Sequence, residues 1–143
     1  QKKYNMKSFG SGGGMMGEVN TVSLSFLIPR TLDQDSARPI IIDCVEEFLH
    51  AFNSNKQIRP YLKRYPFTEE EAEIRLFCVS ETGEEVYHPN LRVVGNFTPV
   101  YKKTLIKYAT ESPDDPYNYK SIVYEEYDEA LKIVQESQKK ESQ

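Results

Sequence analysis

"PIIIDCVEEFLHAFNSN", residues 39–55, is the stretch that decides the fold. Ile41, Cys44, Val45, Phe48, Leu49 and Phe52 recur every three or four positions, and Asp43, Glu46, Glu47 and His50 take the other side. That period is an amphipathic helix of about four turns, whose apolar stripe needs a second layer to cover it. The "NSN" cluster ends the helix, and Asp35 or Ser36 in the polar run "TLDQDSARP" is its expected N-cap.

The second layer flanks the helix in sequence. Upstream, "EVNTVSLSFLIPR" alternates Val22, Leu24, Phe26 and Ile28 with Thr21, Ser23 and Ser25, which predicts a strand with one wet face, stopped at Pro29. Downstream, "AEIRLFCVS" places Ile74, Leu76 and Cys78 on one face and Arg75, Phe77 and Val79 on the other. Glu81-Thr82-Gly83 follows as a tight-turn signal. "LRVVGNF" and "VYKKTLIKYAT" predict further strands with a turn near Thr98-Pro99, "ESPDDPYN" a loop, and "YKSIVY" a short last strand. "EEYDEALKIVQES" closes with Tyr127, Ala130, Leu131 and Val134 at helical spacing. The expected class is α+β: a mostly antiparallel sheet of four to five strands, one long helix packed across it, and a C-terminal helix. Residues 1–17, with five glycines and no sustained period, predict a flexible leader. Residues 18–138 then form a single α+β domain, and 139–143 a frayed tail.

A chain of 143 residues is large enough for one domain with its own core. Its net charge of −4 opposes nucleic acid as a partner, because phosphate binding needs a positive field. No apolar run approaches the roughly 18 to 20 residues that cross a bilayer, so no transmembrane segment is expected and the chain reads as soluble. It begins at Gln1 and not at Met, a start that a cleaved signal peptide or a trimmed chain would give equally.

The residues with chemistry to offer are few. Asp43, Glu46, Glu47 and His50 share one helical face, and Glu47-x-x-His50 has the spacing used in di-metal bundles. Such sites need a second Glu-x-x-His helix, whereas the terminal helix carries Glu125, Glu126, Asp128 and Glu129 without histidine, and His88 lies in the loop "VYHPN". A solvated face is the simpler reading, and no metal or other cofactor is expected. Cys44 and Cys78 fall on predicted apolar faces, as core thiols or, where those faces share one core, as a disulfide. No Gly-x-Ser-x-Gly elbow is present, and "GSGGGMMG" lacks the Gly-Lys-Ser/Thr ending of a phosphate loop. Asn96-Phe97-Thr98 has the form of a glycosylation acceptor.

One connection stands out. In "KQIRPYLKRYPFTEEEAEIRLF", residues 56–77, Lys56, Arg59, Lys63 and Arg64 are interleaved with Tyr61 and Tyr65, and Glu69, Glu70, Glu71 and Glu73 follow. Leu62, Tyr61, Tyr65 and Phe67 suit a strap pinned to the core, with Thr68 and Glu71 spaced to close a short turn. Arg59, Tyr61, Lys63, Arg64 and Tyr65 make the strap the first surface to consider for binding. Its motifs Arg59-Pro60-Tyr61-Leu62 and Tyr65-Pro66-Phe67, with the ending "YDEALKIV", resemble small bacterial proteins that carry an export signal before one α+β domain. The resemblance covers roughly residues 40–136. It implies a periplasmic or secreted address, with a cytoplasmic one as the alternative, and it brings no activity and no functional residue.

The tyrosines at 101, 108, 117, 119, 124 and 127 add amphipathic contact area of the kind interfaces use. The leading expectation is a non-enzymatic binding or interaction domain of an exported bacterial protein, with an unknown protein or small ligand as partner. The alternatives are a small-molecule pocket between the first helix and a curved sheet, or a metal enzyme using Asp43, Glu47, His50 and His88.

Overall fold

In the computed structural model, residues 4, 6–15, 19–61 and 65–141 are described, with backbone alone for 9, 11–15, 19 and 20. They form strands β1 (Lys7–Met15), β2 (Val19–Pro29), β3 (Ala72–Val79), β4 (Val93–Phe97), β5 (Leu105–Ser112) and β6 (Asp115–Glu126). The helices are α1 (Gln34–Asn53) and α2 (Tyr127–Glu141). The strands lie side by side in the order β1-β2-β3-β4-β5-β6.

The helix predicted over 39–55 is longer than its stripe suggests. Asp33, not Asp35 or Ser36, is the N-cap. The Ser36 N–H donates to the Asp33 carboxylate at 2.9 Å, and the Asp33 N–H donates to Ser36 Oγ at 3.0 Å. This reciprocal box satisfies two of the amides that a helix start leaves without partners, and α1 runs for 20 residues with Pro39 inside it. Ala37, Ile40, Ile41, Ile42, Cys44, Val45 and Leu49 are buried beneath it.

α1 connects β2 to β3, which pair in parallel with Leu24 beside Ile74 and Phe26 beside Leu76. A parallel pair needs a crossover, and the helix is that crossover. The other four pairings are antiparallel. The class is α+β as expected, with a six-stranded mixed sheet in place of four to five strands.

One difference accounts for the added strand, and a second lengthens the opposite edge. Residues 7–15, read as leader, form the edge strand β1. Glycine has no side chain to display an alternating pattern, so "GSGGG" hides a strand whose amides bond β2. β6, read as short, extends over 12 residues and begins within the predicted loop "ESPDDPYN". At the other end α2 continues through Lys139 and Lys140 to Glu141, where a frayed tail was expected, and 142–143 lie outside the described residues.

The helix side of the sheet carries Phe26, Ile28, Ile74, Leu76, Cys78, Val94, Ile106 and Tyr108, all buried with α1 and with Tyr127, Ala130 and Val134 of α2. Each large apolar side chain taken fully from water contributes about 1.5 to 3 kcal/mol. Two polar clamps cross this layer. Arg38 of α1 binds Glu125 of β6 at 2.9–3.1 Å, and the Tyr108 hydroxyl donates to the same carboxylate at 2.7 Å. The Tyr127 hydroxyl donates to Glu46 at 2.8 Å, tying α2 to α1.

Candidate functional site

The helix-free side of the sheet holds the hollow with the most varied lining. One cross-strand row there reads Arg75, Gly95, Lys107, Tyr124 from β3 to β6. The next row reads Phe77, Val93, Ala109, Ile122. Gly95 leaves the middle of the first row without a side chain, and the space is a hollow of about 330 Å³ bordered by Phe77, Phe97, Arg75, Lys107 and Tyr119. A Cβ on Gly95 would lie 2.9 Å from the Ile74 carbonyl oxygen, so only glycine fits where β3 and β4 approach this closely.

Asn96, the next residue, holds the floor in place. β3 and β4 share only the rungs Arg75/Gly95, Leu76/Val94 and Phe77/Val93. Beyond them the Asn96 amide substitutes for a strand. Its oxygen accepts from the Ile74 N–H at 2.8 Å, and its nitrogen donates to the Ala72 carbonyl at 2.7 Å and the Glu69 carbonyl at 3.3 Å. The side chain is 2% exposed. The Asn96-Phe97-Thr98 acceptor motif is therefore spent inside the fold.

The hollow is polarised. The Lys107 ammonium rests 4.4 Å from the Tyr119 ring centroid, Phe97 meets Tyr124 edge-on at 5.9 Å, and Arg75 reaches Glu73 at 3.5 Å. Two cations and one carboxylate line it, a local surplus of positive charge in a chain of net charge −4.

Comparison with family models, with curated proteins and with solved structures finds no match. The geometry therefore has to carry the functional reading.

The strap surface lies elsewhere. Arg59, Pro60 and Tyr61 form a short 3-10 turn. The Arg59 guanidinium lies over the Tyr65 ring at 4.6 Å and donates to the Tyr65 hydroxyl. Lys63 and Arg64 fall outside the described residues, as does Leu62. Of the apolar anchors expected, Phe67 is buried at 2% exposure whereas Tyr61 and Tyr65 are 60% and 47% exposed; Phe67 stacks on Phe52 at 4.8 Å, and the Asn53 amide clasps its N–H and carbonyl at 2.7 and 2.9 Å. Thr68 and Glu71 close the turn through the Thr68 hydroxyl at 3.1 Å.

The helix-one constellation does not converge. Asp43 accepts from the Tyr4 hydroxyl, Glu46 accepts from Tyr127, and Glu47 and His50 are exposed. His88 sits in the β3–β4 loop with Nδ1 2.9 Å from the Thr110 hydroxyl. Among the described residues no three His, Cys, Asp or Glu side chains are grouped to hold a metal ion.

Cys44 and Cys78 are both buried and are not joined in a disulfide, and Cys44 faces the Met6 sulfur at 4.0 Å. Beside it an apolar groove of about 230 Å³ runs between α1 and β2, lined by Leu24, Phe26, Phe48 and Ile74 with Glu47 at the rim. The centre of the helix–sheet interface is filled, with Ile28, Ile41, Val45 and Leu76 all at 0% exposure. No helix of the described residues is long and apolar enough to cross a membrane.

Proposed function

We propose that this chain is a non-enzymatic binding domain of an exported bacterial protein, and that its ligand seat is the hollow on the helix-free face of the sheet. One observation carries the reading. Gly95 opens a gap between Arg75 and Lys107 whose walls are the rings of Phe77, Phe97 and Tyr119. Rings around a floor with net positive charge suit a flat apolar body bearing one acidic group. The rings bury the body, while Lys107 and Arg75 meet the acid from opposite sides. The Glu73 carboxylate beside Arg75 repels a second negative charge, which selects against polyanions such as nucleic acid.

Titration of the 15N-labelled protein with 2-naphthoate, a flat ring system with one carboxylate, tests the assignment. Amide shifts should concentrate at Val93, Gly95, Lys107 and Tyr119, and Lys107→Ala should weaken binding by roughly tenfold, the loss of one charge-assisted contact. Shifts centred on Arg59, Tyr61 and Tyr65 would move the seat to the strap. Shifts centred on Leu24, Phe26 and Phe48 would favour the groove under α1, which suits an uncharged apolar ligand.

A further inference from the structure

β6 is the last strand of the sheet, so one of its edges faces no further strand. Among the described residues no other element bonds to that edge. Ile122, Val123 and Tyr124 are 43%, 45% and 54% exposed, so both faces of the strand present apolar side chains to water. The ladder with β5 fixes which groups point out. The Tyr127 N–H donates to the Thr104 carbonyl at 3.0 Å, which makes that pair a hydrogen-bonded rung. Rungs alternate in an antiparallel ladder, so Ser121, Val123 and Glu125 bond inward to β5. Ile122 and Tyr124 therefore turn their amides and carbonyls away from the sheet, as does the Glu126 amide, while the Glu126 carbonyl serves the first turn of α2.

We propose that β6 pairs with β6 of a second copy of this chain, antiparallel about a two-fold axis at Val123. An edge strand of this kind is a template for another strand, and self-complementarity decides which strand it takes. In this register Ile122 stands opposite Tyr124 of the second copy as an outward-pointing rung, and the two Val123 side chains meet on the helix side. Lys120 stands opposite Glu126 of the second copy, and by symmetry the pair occurs twice. Shifting the register by two residues in either direction sets Glu126 against Ile122 or Asn118 and loses both ion pairs. Lys120 lies at a break in the β5 ladder, since Ser121 pairs with Thr110 and Tyr119 with Glu111. The irregularity leaves six residues of regular edge, Ser121–Glu126, and Lys120 directly flanks them, so the two Lys120–Glu126 pairs close the ends of the self-paired segment.

The interface is smaller than the standard of about 1,600 Å², so a reversible dimer with a Kd on the order of 10 to 100 µM is expected. Sedimentation velocity on the full chain, taken up to about 1 mM, covers that range. Ile122→Pro removes an outward amide that the β5 ladder does not use, and it should abolish the dimer while leaving the circular dichroism spectrum unchanged. K120E sets like charges opposite each other twice and should raise Kd by about tenfold, and K120E/E126K should return it to within about threefold of the original. These exposed positions leave the core untouched. A chain that stays monomeric at the highest concentration overturns the proposal, as does a dimer indifferent to Ile122→Pro or one that the paired charge swap fails to restore.

Discussion

Asn96 stands where β4 stops matching β3, and its amide bonds three backbone groups that would otherwise face each other without partners. Asn96→Ala leaves the Ile74 N–H and the Ala72 carbonyl buried and unpaired, and should lower unfolding stability by about 2 to 4 kcal/mol in a urea titration. A loss below about 0.5 kcal/mol, the size of an ordinary surface substitution, would show that water replaces the amide. Cys78 is a second residue defined by its surroundings. Burial pushes its thiol up to about 12, against a small opposing pull from Arg92. The thiolate is the reactive form, so Cys78 should resist iodoacetamide at pH 8 until the protein is unfolded. Modification in the native state at the rate of a small-molecule thiol would contradict its place in the core. Neither residue announces itself in sequence. Asn96 sits in a motif that suggests a sugar acceptor, and its role depends on where the β3–β4 rungs run out.

At the scale of elements, the Arg38–Glu125 clamp joins the start of α1 to the end of β6. Both side chains are largely covered, at 12% and 14% exposure, and Tyr108 and Asp35 complete the set of hydrogen bonds. Arg38→Ala leaves Glu125 with one hydroxyl donor and no countercharge. The expected cost is about 2 to 4 kcal/mol, somewhat under the loss for a fully buried pair, read as a fall in the denaturation midpoint. A shift no larger than that of an exposed ion pair would mean that water already screens the contact. The elements themselves were legible wherever side chains print a period. The stripe Ile41, Cys44, Val45, Phe48, Leu49 and Phe52 and the alternation Val22, Leu24, Phe26, Ile28 each predict the element that forms. β1 was not legible, since glycines carry no pattern, and neither was the clamp, whose partners lie 87 residues apart. The parallel β2–β3 pairing follows from the helix between them, but a stripe does not say which strand lies beside which.

For the molecule as a whole, three buried acids share one direction of shift. Burial first, and then the hydrogen bonds to Glu125 and Glu46, raises the hydroxyls of Tyr108 and Tyr127 well above the ordinary tyrosine value, and burial raises Cys78. Each group holds its proton in the folded state at a pH where the unfolded chain has released it. Their contribution is complete below about pH 8.5, the ordinary value of a free thiol, and declines above it. Stability should therefore fall steadily from about pH 9 to 12 in thermal melts, and Cys78→Ser should reduce the slope. A melting temperature that is flat across that range would contradict the assignment of these protons. The helix-free hollow belongs to this same scale. It takes one or a few residues from each of four strands, so no contiguous motif marks it, and the tyrosine content of β6 was its one visible trace. The strap attracted notice because its charges are adjacent in sequence, and Arg59 is engaged with Tyr65. The lateral order of the strands is also their order along the chain. During synthesis each new strand meets a free border and never has to be threaded between two that have already joined. The sheet can grow by accretion, and β6, the strand made last, keeps one border open among the described residues.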